Sequence, residues 1–191
     1  MDKKFIGISG KIGSGKTTLS EHMKNIIDNL TQSNYSCITI AVGDILKKEC
    51  SRIFEFDINL AYSQEGKESK VYIPAQKKYM TVREILQWWG TDVMRKQVDI
   101  DYWVKELDRS ISGDIIIIND IRFPNEADYI KNKNGYLIRL DTTYTTPPLH
   151  IANHDSEIAL DNYKHFNLRL RPEFGKLKKI AEGFNYSAIL T

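Results

Sequence analysis

At 191 residues, with 41% hydrophobic and 27% charged content, the chain can bury a core of its own and falls within the range of one compact soluble domain. Its 27 Lys+Arg against 25 Asp+Glu leave a formal charge of only +2, which argues against a broad nucleic-acid-binding surface but allows a local basic pocket. Cys37 and Cys50 have no metal-ligand spacing and read as buried thiols, which excludes a disulfide framework. Glycine and lysine interrupt the apolar start long before a signal peptide or membrane span is built, so the expectation is a cytoplasmic protein with no membrane partner.

In chain order, Lys4 to Ser9 is a short apolar run suited to a strand buried on both faces. From Lys16 to Leu30, Leu19, Met23, Ile26, Ile27 and Leu30 recur at helical spacing. Cys37 to Val42 reads as a second buried strand, and Ile45 to Phe54 as a second amphipathic helix carrying Leu46, Cys50 and Ile53. Phe56 to Met80 is polar, contains Gly66 and Pro74, and holds no period, so it reads as a surface excursion. Thr81 with Glu84 has the form of a capping box opening a helix that continues past Gly90, where a break is expected.

Asp101 to Ser110 is predicted helical, and the isoleucine run from Ile115 to Ile118 is a central parallel strand. Phe123 to Lys131 follows as helix, with Pro124 in its first turn. Gly135 to Leu140 reads as a fourth strand, Asp141 to Asn153 as a Thr/Pro/His-rich loop, Asp155 to Asp161 as a short helix, and Phe166 to Leu170 as the site of a fifth strand. Pro172 to Glu182 is predicted as the closing helix. Five strands separated by helices imply an α/β fold, a parallel sheet covered on both faces through right-handed crossovers.

Between the first strand and the first helix stands GKIGSGKT, Gly10 to Thr17, the pattern and context of a phosphate-binding loop. Glycines such as Gly10, Gly13 and Gly15 let the loop turn sharply, so the amides from Lys11 through Ser14 to Lys16 converge on phosphate oxygens at a helix N-terminus. Lys16 can bridge the outer phosphates, Thr17 can place its hydroxyl on Mg²⁺, and Thr18 can hold the inner phosphate. The plainer alternative is a glycine-rich turn that only opens a helix. The loop alone does not separate kinases from switches or motors, but Asn-Lys-x-Asp of a guanine-reading switch is absent after the fourth strand.

VGDILKKE at 42 to 49, TVREILQWWGTDVMR at 81 to 95, NDIRFPNEAD at 119 to 128 and HDSE at 154 to 157 resemble the deoxynucleoside monophosphate kinases of bacteriophages and large viruses. The resemblance spans most of the chain. It implies a P-loop kinase fold of sheet order 2-3-1-4-5, ATP and Mg²⁺ as donor and metal, a deoxynucleotide acceptor, and a homodimer. It also implies an acceptor-side excursion over about 56–110 and a lid over about 141–155.

On the acceptor side, Asp44 can hold a hydroxyl, a phosphate or a metal-bound water, or simply cap its helix. Lys47, one turn on, can meet a phosphate or stay solvated. Asp120 and Arg122, at the end of the isoleucine strand, suit a metal's water shell and a phosphate, with a local ion pair as the alternative. Arg83 and Arg95 flank the Gln87 to Thr91 segment and can reach the acceptor's phosphate, while Gln87 can read a base edge and Trp88 or Trp89 can stack on the ring unless packed in the core. Lys16, Arg95, Asp120 and Arg122 are the catalytic candidates, with Thr17 and Asp120 for the metal.

Asp141 to Tyr163 contains no lysine or arginine, so a lid there brings no arginine to the transferring group. Lys16, Mg²⁺, Arg95, Arg122 or Arg139 must meet that charge instead. His154, Glu126 and Glu157 read first as loop anchors. Dephospho-coenzyme A or phosphomevalonate are alternative acceptors, and a regulatory nucleotide-binding protein is the alternative outside enzymes. A nucleic-acid partner fits the balanced charge poorly.

Overall fold

The computed structural model describes residues 3–32, 34–144, 152 and 154–187. The elements run β1 (Lys4–Gly10), α1 (Lys16–Leu30), β2 (Cys37–Ile40), α2 (Val42–Phe54), β3 (Lys70–Ile73), β4 (Lys78–Thr81) and α3 (Val82–Gln87). A π-helical stretch (Trp88–Val98), α4 (Tyr102–Ser110), β5 (Ile115–Ile121), α5 (Pro124–Asn132), β6 (Tyr136–Leu140), α6 (Asp155–Ile158), β7 (Leu168–Leu170) and α7 (Leu177–Glu182) follow. They divide into two compact units, one of Met1–Ala41 with Ile111–Thr191 and one of Val42–Ser110.

The first unit is built on a five-stranded sheet of order β2-β5-β1-β6-β7, every pair parallel. Counted within that sheet the order is 2-3-1-4-5; the labels differ because β3 and β4 pair only with each other. Ile115 through Ile118 are at most 2% exposed, as a strand covered on both faces requires. Alternate residues of β1 serve the two faces. Ile6 and Ile8 join Leu19, Met23 and Ile27 of α1 and Leu177 and Ala181 of α7, while Phe5 meets Tyr129 of α5 edge-on at 5.9 Å. A Cβ at Gly7 would stand 3.0 Å from Ile130, so α5 lies close on that second face.

The Val42–Ser110 unit holds its own core of Cys50, Phe56, Ala61, Ile73, Met80, Val82 and Ile85. Thr81 and Glu84 form the expected capping box: each side chain accepts the other residue's amide N–H. Both cysteines are buried free thiols, and burial pushes Cys37 up to about 11 and Cys50 further still.

Several boundaries depart from the sequence reading. Residues 56–80 contain an antiparallel hairpin, β3 with β4, joined by a turn at Pro74–Gln76 and a left-handed Lys77. Its strands are too short to show a period, although Ile73 and Met80 point inward while Tyr72 and Tyr79 face each other outward. The helix from Val82 does not break at Gly90 but widens from Trp88. The Gly90 carbonyl accepts the Trp103 indole N–H at 2.8 Å, a tertiary bond available to a helix whose own pattern is loosened there.

β2 ends at Ile40 and α2 begins at Val42, so Asp44 lies inside the first helical turn. β5 continues through Asn119 and Asp120 to Ile121, and α6 ends at Ile158 rather than Asp161. The closing helix starts at Leu177 instead of Pro172. Gly175 takes a left-handed φ of 78°, which a continuous helix from Pro172 cannot contain, and the Tyr144 hydroxyl donates to the carbonyls of Pro172 and Glu173 just before it.

Candidate active site

The phosphate loop spans the β1 to α1 connection, where the parallel sheet presents its carboxyl edge. Gly15 precedes α1 at φ 85°, and a Cβ there would stand 2.5 Å from Leu177, so both conformation and space demand glycine. No side chain caps α1, which leaves the amides of its first turn for an anion. Thr17 and Thr18 are exposed on that turn, whereas Ser14 is fully buried.

Lys16 is 9% exposed, and its Nζ donates to the carbonyls of Gly10 at 2.7 Å and Lys11 at 2.8 Å. Burial first, and the neighbouring Arg122 charge second, lower it to about 7. A polyphosphate would restore the charged form. Nucleotide binding near pH 8 is therefore expected to take up a proton, readable by calorimetry in buffers of different ionisation enthalpy. Lys16→Met should remove that uptake; uptake unchanged in the variant would reject Lys16 as its source.

Arg122 follows β5, and its guanidinium pairs with Glu157, whose other oxygen accepts the Ile12 N–H of the phosphate loop at 2.7 Å. Glu126, 1% exposed, accepts the backbone N–H groups of Arg122 at 2.8 Å and Phe123 at 3.2 Å. Arg122 is thus seated at both ends, and the loop-anchor reading of Glu126 and Glu157 agrees with these bonds. His154 has the same character, since its ring nitrogen accepts the Ser156 N–H at the head of α6.

Asp120 stands half-buried in β5 close enough to act electrostatically on Lys16. Arg139, named from sequence as one group able to meet the transferring charge, is instead 5% exposed, bonded to Ser9 Oγ and Asp161 at 2.9 Å each. Its Nε lies 3.5 Å from Asp141, which Arg169 also grips.

Within the Val42–Ser110 unit, Asp44 pairs with Lys47 at 2.9 Å, and the Lys47 ammonium sits 4.3 Å over the Tyr62 ring. Arg83 donates to Glu68 and Gln64. Gln87 is half-buried, Thr91 is 8% exposed, and Arg95, 6% exposed, reaches the Ile100 carbonyl at 3.4 Å. Trp88 and Trp89 cluster with Phe54, and the Trp89 indole donates to Glu49, so both tryptophans pack within the unit.

Sequence reasoning missed two features here. Asp161 ties Lys11 to Arg139, although in sequence it is only one acid in a polar stretch. Beside Gly15 and Thr18 lies a cavity of about 280 Å³, lined by Tyr144, Phe174 and Leu177, where the two rings meet edge-on at 5.4 Å. Its only signal was an aromatic residue placed on each of two distant loops. The lid expected over about 141–155 falls largely on 145–151 and 153, outside the described residues.

The sequence model of the deoxynucleotide monophosphate kinase family matches residues 44–162. A protein of Acanthamoeba polyphaga mimivirus, named "Putative deoxynucleotide monophosphate kinase", is 32% identical over 182 residues, 87% of this chain and 86% of its own. The chain belongs to the deoxynucleotide monophosphate kinase family. As a family member it is a nucleotide phosphotransferase. The deoxynucleoside-5'-monophosphate kinase of Escherichia phage T5 is 33% identical over 73 residues, 37% of this chain and 28% of its own. Among solved structures, a shikimate kinase from Bacteroides thetaiotaomicron is similar at 13% identity and a TM-score of 0.49 over 94% of each chain. No helix among the described residues of this family member is long and apolar enough to cross a membrane.

Proposed function

We propose that the protein transfers the γ-phosphoryl group of ATP to the phosphate of a deoxynucleoside monophosphate, giving the diphosphate and ADP with Mg²⁺ as the metal. The observation that carries the reading is a buried Lys16 inside a complete phosphate loop, in a chain whose 44–162 stretch matches the family. The donor's phosphates lie along the amides of the loop and the first turn of α1, with Thr18 on the inner phosphate. Its base fits the cavity beside Gly15, against Tyr144 and Phe174.

Thr17 and Asp120 supply hard oxygen atoms of the kind Mg²⁺ takes, and a metal that keeps waters and phosphate oxygens needs no larger protein cluster. When bound, Mg²⁺ neutralises charge on the outer phosphates. The Val42–Ser110 unit is assigned the acceptor: Asp44 and Lys47 for its sugar or phosphate, Gln87 for its base, Thr91, Arg83 and Arg95 for its phosphate, with Trp88 packed against Phe54.

An oxygen of the acceptor's phosphate attacks the γ-phosphorus, and the bond from that phosphorus to the bridging oxygen of ADP breaks. The attacking oxygen is already ionised at neutral pH, so the chain needs no strong general base. Lys16 and Arg122 meet the equatorial charge, and their preorganisation supplies the acceleration.

The test is ADP release from ATP and Mg²⁺ with dGMP, dTMP, dCMP, dAMP, dephospho-coenzyme A and phosphomevalonate offered singly. Turnover that depends on one or more deoxynucleotides is expected. Turnover with only dephospho-coenzyme A or phosphomevalonate, or none with any acceptor, would overturn the reading.

A further inference from the structure

Between Asp141 and Tyr163 the sequence has no lysine or arginine, yet two acids there act on Arg139 of β6 and on Arg122, just past β5. Glu157 joins the Ile12 amide to Arg122, and Asp161 joins the Lys11 ammonium, at 2.8 Å, to Arg139, at 2.9 Å. The two arginines differ in what they are left to do. The Arg139 side chain is 6% exposed and bonded to Ser9 as well, so it ties β6 to β1. The Arg122 side chain is 28% exposed and close enough to Lys16 that its charge opposes that of the lysine.

A guanidinium on a long side chain needs a partner to hold one orientation, and a buried carboxylate needs donors on both oxygens. Glu157, 6% exposed, meets both needs at once: one oxygen takes the phosphate loop and the other takes the arginine. Fixing both groups to one carboxylate fixes them to each other. Glu126 holds the backbone of Arg122 as well, so the guanidinium is held in place before any substrate contact is made.

We propose that Glu157 is a positioning residue for phosphoryl transfer, seating the Arg122 guanidinium beside Lys16 and registering it against the phosphate loop. In this arrangement an acid of α6 orients the arginine that follows β5. The inference rests on the reading above, in which Arg122 meets phosphate charge.

The experiment is a kinetic double-mutant cycle of wild type, Glu157→Gln, Arg122→Ala and the double variant, assayed with an accepted deoxynucleotide and accompanied by thermal melts. Glu157→Gln is expected to lower kcat roughly ten- to a hundred-fold, the scale of one charge-assisted hydrogen bond. On the Arg122→Ala background the same change should cost less than about threefold, because the group it acts through is gone. A merely structural role would lower the melting temperature and cost the same factor in both backgrounds.

Equal factors, or an unchanged kcat in Glu157→Gln, would overturn the positioning role while leaving the kinase reading intact. Wild-type kcat in Arg122→Ala would overturn it too, by removing Arg122 from the reaction. An inactive wild type would instead overturn the kinase reading and this inference with it. Should Glu157→Gln not fold, Glu157→Asp keeps the charge but shortens the reach, and is read through the same cycle.

Discussion

Lys16→Met is expected to abolish measurable turnover, a loss of at least about 10²–10³-fold, while the protein keeps its fold and melts no lower than wild type at pH 7. The reason lies in two opposed demands on one side chain. Lys16 is buried among loop carbonyls beside Arg122, an environment that penalises its charge, yet that charge is what the transferring phosphoryl group requires. Methionine fills nearly the same volume without the charge, so the cost falls on activity and not on packing.

The same residue gives stability a pH dependence of definite sign. In the folded protein Lys16 loses its proton near 7, whereas the unfolded chain holds it to about 10.5. Below 7 both states are protonated and the penalty of the buried charge is fully present. As pH rises through that window the folded state sheds the proton and the penalty is relieved, so the contribution to stability increases. Melting curves from pH 7 to 9.5 should therefore rise more in wild type than in Lys16→Met. Near-normal turnover in the variant would reject the phosphate-loop assignment, and parallel pH profiles would reject the buried-charge account.

The second large effect is expected at Trp103→Ala, a loss of about 3–5 kcal/mol of stability in the Val42–Ser110 unit. Trp103 is 1% exposed, packs edge-on against Tyr102 at 4.9 Å, and donates its indole N–H to the Gly90 carbonyl. Truncation removes a large buried surface and a partner of the widened helix at the same step. That helix carries Thr91 and Arg95, both proposed to meet the acceptor. The variant should raise the KM for the deoxynucleotide far more than it weakens ATP binding, measured directly. Equal weakening of both would mean that Trp103 supports the whole chain and not the acceptor side alone. Trp103→Phe, which keeps most of the packing and loses the hydrogen bond, is expected to cost about 1 kcal/mol.

Legibility followed the range of the interaction. GKIGSGKT is readable because phosphate binding by backbone amides needs a contiguous glycine pattern at one strand-to-helix joint, and every part of it is local. The isoleucine run of β5, the helical spacing of α1 and the Thr81/Glu84 capping box are local in the same sense, each set by residues within a turn or a strand of one another. The four motif stretches brought the family into view, and the match over residues 44–162 agrees with them.

Roles that depend on distant partners were left open by the sequence. Nothing near Arg139 in the chain announces Ser9 and Asp161, which turn a candidate phosphate ligand into a tie between strands. The Pro172 carbonyl ahead of the last helix is met by a tyrosine hydroxyl 28 residues earlier, and the widening at Trp88 is matched by an indole 13 residues beyond Gly90. Thus the sequence by itself determined the fold class, the phosphate loop and the family, because short-range patterns and backbone chemistry specify them. Only the tertiary structure decided which arginine is locked into the sheet, which is seated beside Lys16 by Glu157, and where an aromatic cavity opens, because a side chain's charge and freedom depend on neighbours that folding brings from elsewhere in the chain.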